Sequence, residues 1–242
     1  MRSGGAGFRS GGEPCTVPPV GAEDDRYARW LKWLKNIRNE THTLWLYRDY
    51  QRGLSEMTQA NDDIPPTTFF HALGVWYAAA QMTSVRRQLD PDTRSVSLWR
   101  LLTEIADHPE VMTRKRHVSL WFEEDDDEID RELKTAEANR NYDRLAGAGN
   151  DLIDPKLTLE DRDRLECLAE PVTVYVNKRL AHSDQKNLPA APTYGELDGA
   201  IDELGELLKK YVSLLEAVWV PEITPVHQED WTRAFTVAWK KD

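Results

Sequence analysis

The chain holds two cysteines, Cys15 in a Gly/Pro-rich stretch and Cys167 within a helical pattern, and no CxxC pair. This excludes a disulfide framework and fits a reducing compartment. No uninterrupted apolar run approaches the ~18 residues that a membrane span needs, so no membrane partner is expected. Arg2 and Arg9 precede no apolar stretch, so a secretory signal is not expected and the cytoplasm is the expected location. HExxH and a nucleophile elbow are both missing, and His42, His71, His108, His117 and His227 lie scattered without ligand spacing. Neither a metal site nor a small-molecule cofactor is therefore expected. Positive charge is short as well. The formal net charge is −11, which opposes long-range attraction to a phosphate backbone, so any RNA contact would need a local basic patch. Arg86-Arg87, Arg114-Lys115-Arg116-His117 and Lys178-Arg179 are the candidates, and each also reads as an ordinary solvated helix face.

What the sequence does contain is helical periodicity. Residues 1–22 are rich in Gly, Ser and Pro and read as a disordered tail; their glycines are followed by no Lys-Ser/Thr and are not a phosphate loop. From Glu23 to about Ala60, Trp30, Leu34, Ile37, Thr41 and Leu44-Trp45, then Leu54 and Met57 after a polar gap, recur at helical spacing behind three acids that suit a helix N-terminus. Thr67 or Thr68 caps a second helix running to Leu89, and Ser95 or Ser97 starts a third over Leu98–Ala106. Residues 110–122 read as a short helical piece. The six acids Glu123–Glu128 read as a solvated helix start, because they lack the alternating spacing and central Gly of a calcium loop. Asp130–Leu145 forms a polar helix that packs down or projects.

Thr158 with Asp161 resembles a capping box opening a helix that reaches His182, with a kink or restart expected near Glu170 because Pro171 removes a backbone donor. Thr193-Tyr194-Gly195-Glu196 is a full capping box. The helix it opens carries Leu197, Ile201, Leu204, Leu208, Tyr211, Leu215 and Val218. Trp231, Phe235 and Trp239 suggest a short C-terminal helix docking back. Trp30, Trp76 and Trp99 read as core anchors, while Trp121 is the one tryptophan whose basic neighbours suit base stacking. The fold class is all-α, a helical bundle of long antiparallel helices over 23–220, with the tail before it and an extension over 221–242.

One segment suggests chemistry. On a wheel of 100° per residue, Leu165, Leu168, Ala169, Val172, Tyr175, Val176 and Leu180 form one stripe, with Arg179 inside it and His182 at its edge. An imidazole and a guanidinium held together could move a proton and steady phosphate charge, as RNA cleavage requires. The competing reading is that Lys178, Arg179 and His182 merely complement a helix C-terminus.

Arg179-Leu180-Ala181-His182-Ser183-Asp184 resembles the R-φ-A-H-x-D signature of the HEPN superfamily, especially its bacterial abortive-infection U-type branch. The stretches Ser84–Asp90, Ser97–Leu102 and Thr193–Leu197, with Lys209-Lys210-Tyr211, are similar to that branch too, so the resemblance covers residues 25–220. It implies a helical bundle, a homodimer formed through helices, RNA as a partner and metal-independent endoribonuclease chemistry. The family pattern is an Arg, four to six residues, then His. His182 matches the His. In the related pattern Arg-Asp-Lys-Arg-x-Ala-His, Lys178, Arg179, Ala181 and His182 match, while Asn177 stands in place of the Asp and Val176 in place of the first Arg. A hydrophobic side chain cannot stabilise a phosphate transition state, so the resemblance points to degenerate or absent nuclease chemistry in a phage-defence or RNA-associated setting. Two alternatives stand beside it: an active, toxin-like endoribonuclease using His182 with Arg179 or with Arg86 reaching across the bundle, and a structural helical interaction protein.

Overall fold

The computed structural model describes residues 21–64, 67–180, 190–221, 227 and 229–236. Among these residues the fold is all-α, with no strand beyond one isolated bridge between Thr113 and Leu152. The helices are α1 (Ala22–Gln59), α2 (Thr68–Gln88), α3 (Leu98–Asp107), α4 (Arg114–Ser119), α5 (Glu128–Ala146), α6 (Pro155–Tyr175) and α7 (Tyr194–Glu216). A π-helical segment, Val176–Leu180, continues α6, and 3-10 turns occupy Pro109–Val111 and Trp231–Thr236. No helix among the described residues is long and apolar enough to cross a membrane.

Helix α7 forms the middle of the bundle, and its apolar stripe from Leu197 through Leu215 is buried, whereas Val218, read as the end of that stripe, lies past the helix and is exposed. Helix α1 packs antiparallel to it: Tyr27 donates to the Leu215 carbonyl at 2.5 Å, and Arg48 reaches Asp202 at 2.7 Å near the other end. Of the stripe read in the first helix, Trp30, Leu34, Ile37, Thr41 and Leu44 are buried, while Trp45, Leu54 and Met57 are half-buried. The α1–α7 crossing is close because Gly205 has no side chain; a Cβ there would lie 2.9 Å from the Trp45 ring. On the other flank α6 also runs antiparallel to α7, α3 lies against α6, and α2 bridges α1 and α6. Gln81 of α2 donates to the Leu44 carbonyl at 2.8 Å and Gln88 to Glu40 at 2.7 Å, which fixes the α1–α2 register.

Local chemistry sets most of the boundaries. Ser97 accepts from the Arg100 amide, Asp127 from that of Asp130, and the Thr193–Glu196 box closes in both directions. The α6 start differs from the sequence reading. Asp154 is the cap, accepting from the Lys156 amide at 2.9 Å, with Pro155 in the first turn. Thr158 and Asp161 instead face inward and are buried. The helix continues through Pro171 to Tyr175 without a restart. The 110–122 piece divides into the 3-10 turn and α4. In α5, Ala138, Tyr142, Leu145 and Ala146 are buried while Ile129 and Leu133 are exposed, so one half packs and the other stands clear. The acidic run precedes α5, where Asp126 is bound by Lys134 at 2.5 Å. Trp231 and Phe235 fall in a 3-10 turn, with Trp231 packed edge-on to Tyr50. Residues 1–20, including Cys15, and Trp239 lie outside the described residues.

Of the three tryptophans read as anchors, Trp30 is fully buried and Trp99 half-buried, but Trp76 is 61% exposed. Helix α2 carries more aromatic surface than one neighbouring helix can cover. Phe69, Leu73 and Trp76 line an open apolar groove of about 740 Å³ with Tyr47 and Leu54 of α1. Trp121 is no free stacking platform either, because its indole donates at 3.2 Å to His117.

His117 is fully buried, with Nδ1 donating to the Leu214 carbonyl at 2.9 Å while Nε2 accepts from Trp121. That pattern fixes a neutral ring. Burial holds its pKa below the ordinary value of 6.5, against the pull of the Leu214 carbonyl. Below that value the unfolded chain takes up a proton that the folded chain refuses, so this contribution is complete above about pH 6.5 and shrinks as pH falls. Wild-type melting temperature should therefore fall between pH 7 and pH 5, and His117→Gln should show a flatter profile. Parallel profiles would show that the buried imidazole does not carry the pH dependence.

Candidate functional site

The sequence-derived site lies where α6 passes into the π segment. A π turn spaces its residues differently from an α-helix and commonly marks a functional position, because it re-aims the side chains that follow. Leu165, Ala169, Val172 and Val176 are buried as the wheel requires, whereas Leu168 is 42% exposed. Arg179 departs from its expected place. It is exposed, as are Asn177 and Lys178, because an angle of 100° per residue loses its phase once the π segment begins. His182 lies outside the described residues.

Arg86 does reach this region. From α2 its Nε donates to Asn177 Oδ1 at 3.0 Å, and its Nη1 lies 3.7 Å from Asp90 one helical turn on. Arg86 thus makes a contact across the bundle and a local ion pair at once. Asp90 is kept below the usual carboxylate range first by the Ser95 hydroxyl, at 2.6 Å, and then by the Asp92 amide and Arg86. Arg87 turns away toward Glu40, at 3.5 Å.

A groove of about 530 Å³ opens beside this contact. Arg86 and Asn177 line it with Asp163, Glu166, Cys167 and Glu170 of α6. Glu166 accepts from the Trp99 indole. One guanidinium, already held by Asn177 and Asp90, therefore faces three carboxylates, and the groove is anionic. In the second basic patch, Arg114 binds Asp143 at 2.5 Å and Arg116 pairs with Asp24, while Lys115 is exposed.

Sequence reading missed two features. The apolar α1–α2 groove was foreshadowed by the two aromatic rows of α2, Phe69–Leu73–Trp76 and Phe70–Tyr77, of which one neighbour can bury only one. The second is an ion-pair centre on Asp161. This carboxylate is buried, and it accepts from the Tyr211 hydroxyl at 2.9 Å and from Lys210 at 2.5 Å, with Arg164 at 3.3 Å. Burial, and next the Asp161 charge, push the Tyr211 phenol well above its ordinary range.

Residues 27–233 match the model of the protein family HEPN_AbiU2, described as AbiU2. The match extends beyond the segments that carry the sequence resemblance and takes in the turn at Trp231. No curated protein and no solved structure gives a significant match.

Proposed function

The chain belongs to the HEPN_AbiU2 family, and on that premise we propose that it is a HEPN-like abortive-infection protein with degenerate nuclease chemistry, acting by binding and self-association. The observation that carries this reading is Val176. It stands where the family pattern has its arginine, and it is buried at 5% exposure. A side chain on that vector enters the core and meets no phosphate. Arg86 is a weak substitute, since an RNA phosphate brought to it would also meet Asp163, Glu166 and Glu170. The exposed Phe69 and Trp76 of α2 support self-association, because apolar surface of this kind marks contact faces.

The active-endoribonuclease reading draws on one contact, Arg86 to Asn177, which places a guanidinium next to the segment leading to His182. Labelled RNA incubated with the protein in EDTA separates the two. The proposal expects no cleavage above buffer at high protein concentration, with wild type, His182→Ala and Arg86→Ala alike. It also expects a dimer by light scattering. EDTA-resistant cleavage, abolished in His182→Ala at an unchanged melting temperature, would overturn it.

A further inference from the structure

The apolar groove on α1 and α2 already holds part of the segment that follows α7. Trp231 and Phe235 line it together with Phe69, Phe70, Leu73 and Trp76 of α2. Contacts with α1 hold that segment in place. His227 Nε2 lies 2.5 Å from Asp49 Oδ2, and the rings of His227 and Trp231 stand 5.2 and 5.1 Å from that of Tyr50. Trp231 comes this close because residue 53 is glycine: a Cβ there would lie 2.8 Å from the indole. Asp230 starts the turn, its carboxylate accepting from the Thr232 amide at 3.0 Å, and Phe235 then meets the Trp231 ring edge-on at 6.1 Å. The chain is thus delivered to the groove at a fixed place.

Much of the groove is still open to solvent. Trp76 is 61% exposed, Phe69 56% and Phe235 50%. Helix α2 has no Asp, Glu, Lys or Arg from Thr68 to Val85, so no charged head group solvates this face. After Thr236 the sequence continues Val237-Ala238-Trp239-Lys240-Lys241-Asp242, outside the described residues. Trp231, Phe235 and Trp239 recur every four residues. Four residues span about 6 Å in a helix and at most ~14 Å when extended. The groove runs about 16 Å along α2, from Phe69 to Ala80. Trp239 therefore comes within reach of it whichever backbone links it to Phe235. The charges agree as well. No basic side chain lines the groove. Glu56, Asp62 and Asp63, which follow Leu54 in the chain, are exposed and form no ion pair among the described residues.

We infer that residues 237–242 lie along this groove in their own chain, with the Trp239 indole against the α2 rings and Lys240 and Lys241 toward the acids that follow Leu54. A docked indole buries roughly 150–250 Å², which covers apolar surface that α1 alone leaves open. The segment is then an internal cover. In one respect the inference rests on the self-association reading: a second copy competes with Trp239 for the same aromatic face, so the cover sets how strongly copies associate.

Fluorine NMR of the full chain labelled with fluorotryptophan tests the docking. The resonance missing from Trp239→Phe identifies Trp239. It should show little of the shift that a solvated indole undergoes between water and heavy water, and dilution should not change this. Trp76→Lys, at an exposed position, places a like charge in front of the two lysines. It should move the Trp239 resonance to its solvated position at an unchanged melting temperature. A full solvent shift in the wild-type protein overturns the inference. So does a signal that becomes solvated on dilution, which would seat Trp239 in the groove of a second copy. A signal that stays protected in Trp76→Lys overturns it too, by placing the indole elsewhere. Light scattering on Trp239→Ala separates the two readings. Stronger self-association than wild type supports both, whereas an unchanged mass beside a protected Trp239 sustains the cover and removes the groove from the self-association reading.

Discussion

Trp30→Ala should lower the free energy of unfolding by about 3–5 kcal/mol, the range for removing a fully buried large aromatic side chain from a packed core. Trp30 is 0% exposed and lies on the buried stripe of α1 with Leu34 and Ile37. Its indole nitrogen also lies 3.5 Å from Glu104, which gathers Arg26 at 2.9 Å and Arg29 at 3.0 Å. Burial alone would raise the Glu104 pKa, but Arg29, the indole and Arg26 outweigh it and hold the carboxyl below its ordinary range. Truncation therefore empties a large volume and also removes one of the donors to that carboxylate. Trp76→Ala provides the internal comparison. At 61% exposure it leaves no cavity and should cost less than about 1 kcal/mol. Urea unfolding followed by far-UV circular dichroism gives both values. Equal midpoints for the two variants would contradict the assignment of the core.

Much of the core was readable in the sequence, and each exception has its own physical cause. Periodicity reports that a helix has an apolar face, and α1 and α7 each have one face and one partner to cover it. Helix α2 has two apolar rows, and the wheel cannot say which row finds a neighbour, so Trp76 was read as core and stands in solvent. Arg179 was misplaced for a different reason. The wheel assumes one helical pitch, and the pitch changes at Val176. The helix was legible, while the direction of the Arg179 side chain was not. Asp161 shows a third limit. Thr158 and Asp161 have the spacing of a cap, but Asp154-Pro155 four residues upstream is the stronger start signal and displaces it. Contacts such as Arg86 to Asn177, 91 residues apart, have no local signature at all.

That displaced Asp161 should be the next most sensitive polar position in the bundle. Asp161→Ala should cost about 2–4 kcal/mol, most of it through Tyr211. The Tyr211 side chain is 1% exposed, and losing its acceptor strands a buried hydroxyl, a loss of about 1–3 kcal/mol. The ion pairs contribute less than those of a fully buried triad. Arg164 is half exposed, and Lys210 retains 23% side-chain exposure, so both can turn to water once the carboxylate is gone. Asp161→Asn should fall between wild type and Asp161→Ala, because an amide oxygen can still accept from the phenol while the charge is lost. Tyr211→Phe should cost about 1 kcal/mol, as it removes donor and desolvation penalty together. If the carboxylate acts mainly through this hydroxyl, combining Asp161→Ala with Tyr211→Phe should give much less than the sum of the two, a coupling of about 0.5–3 kcal/mol. Strict additivity would show that Asp161 stabilises α6 against α7 through its cations alone.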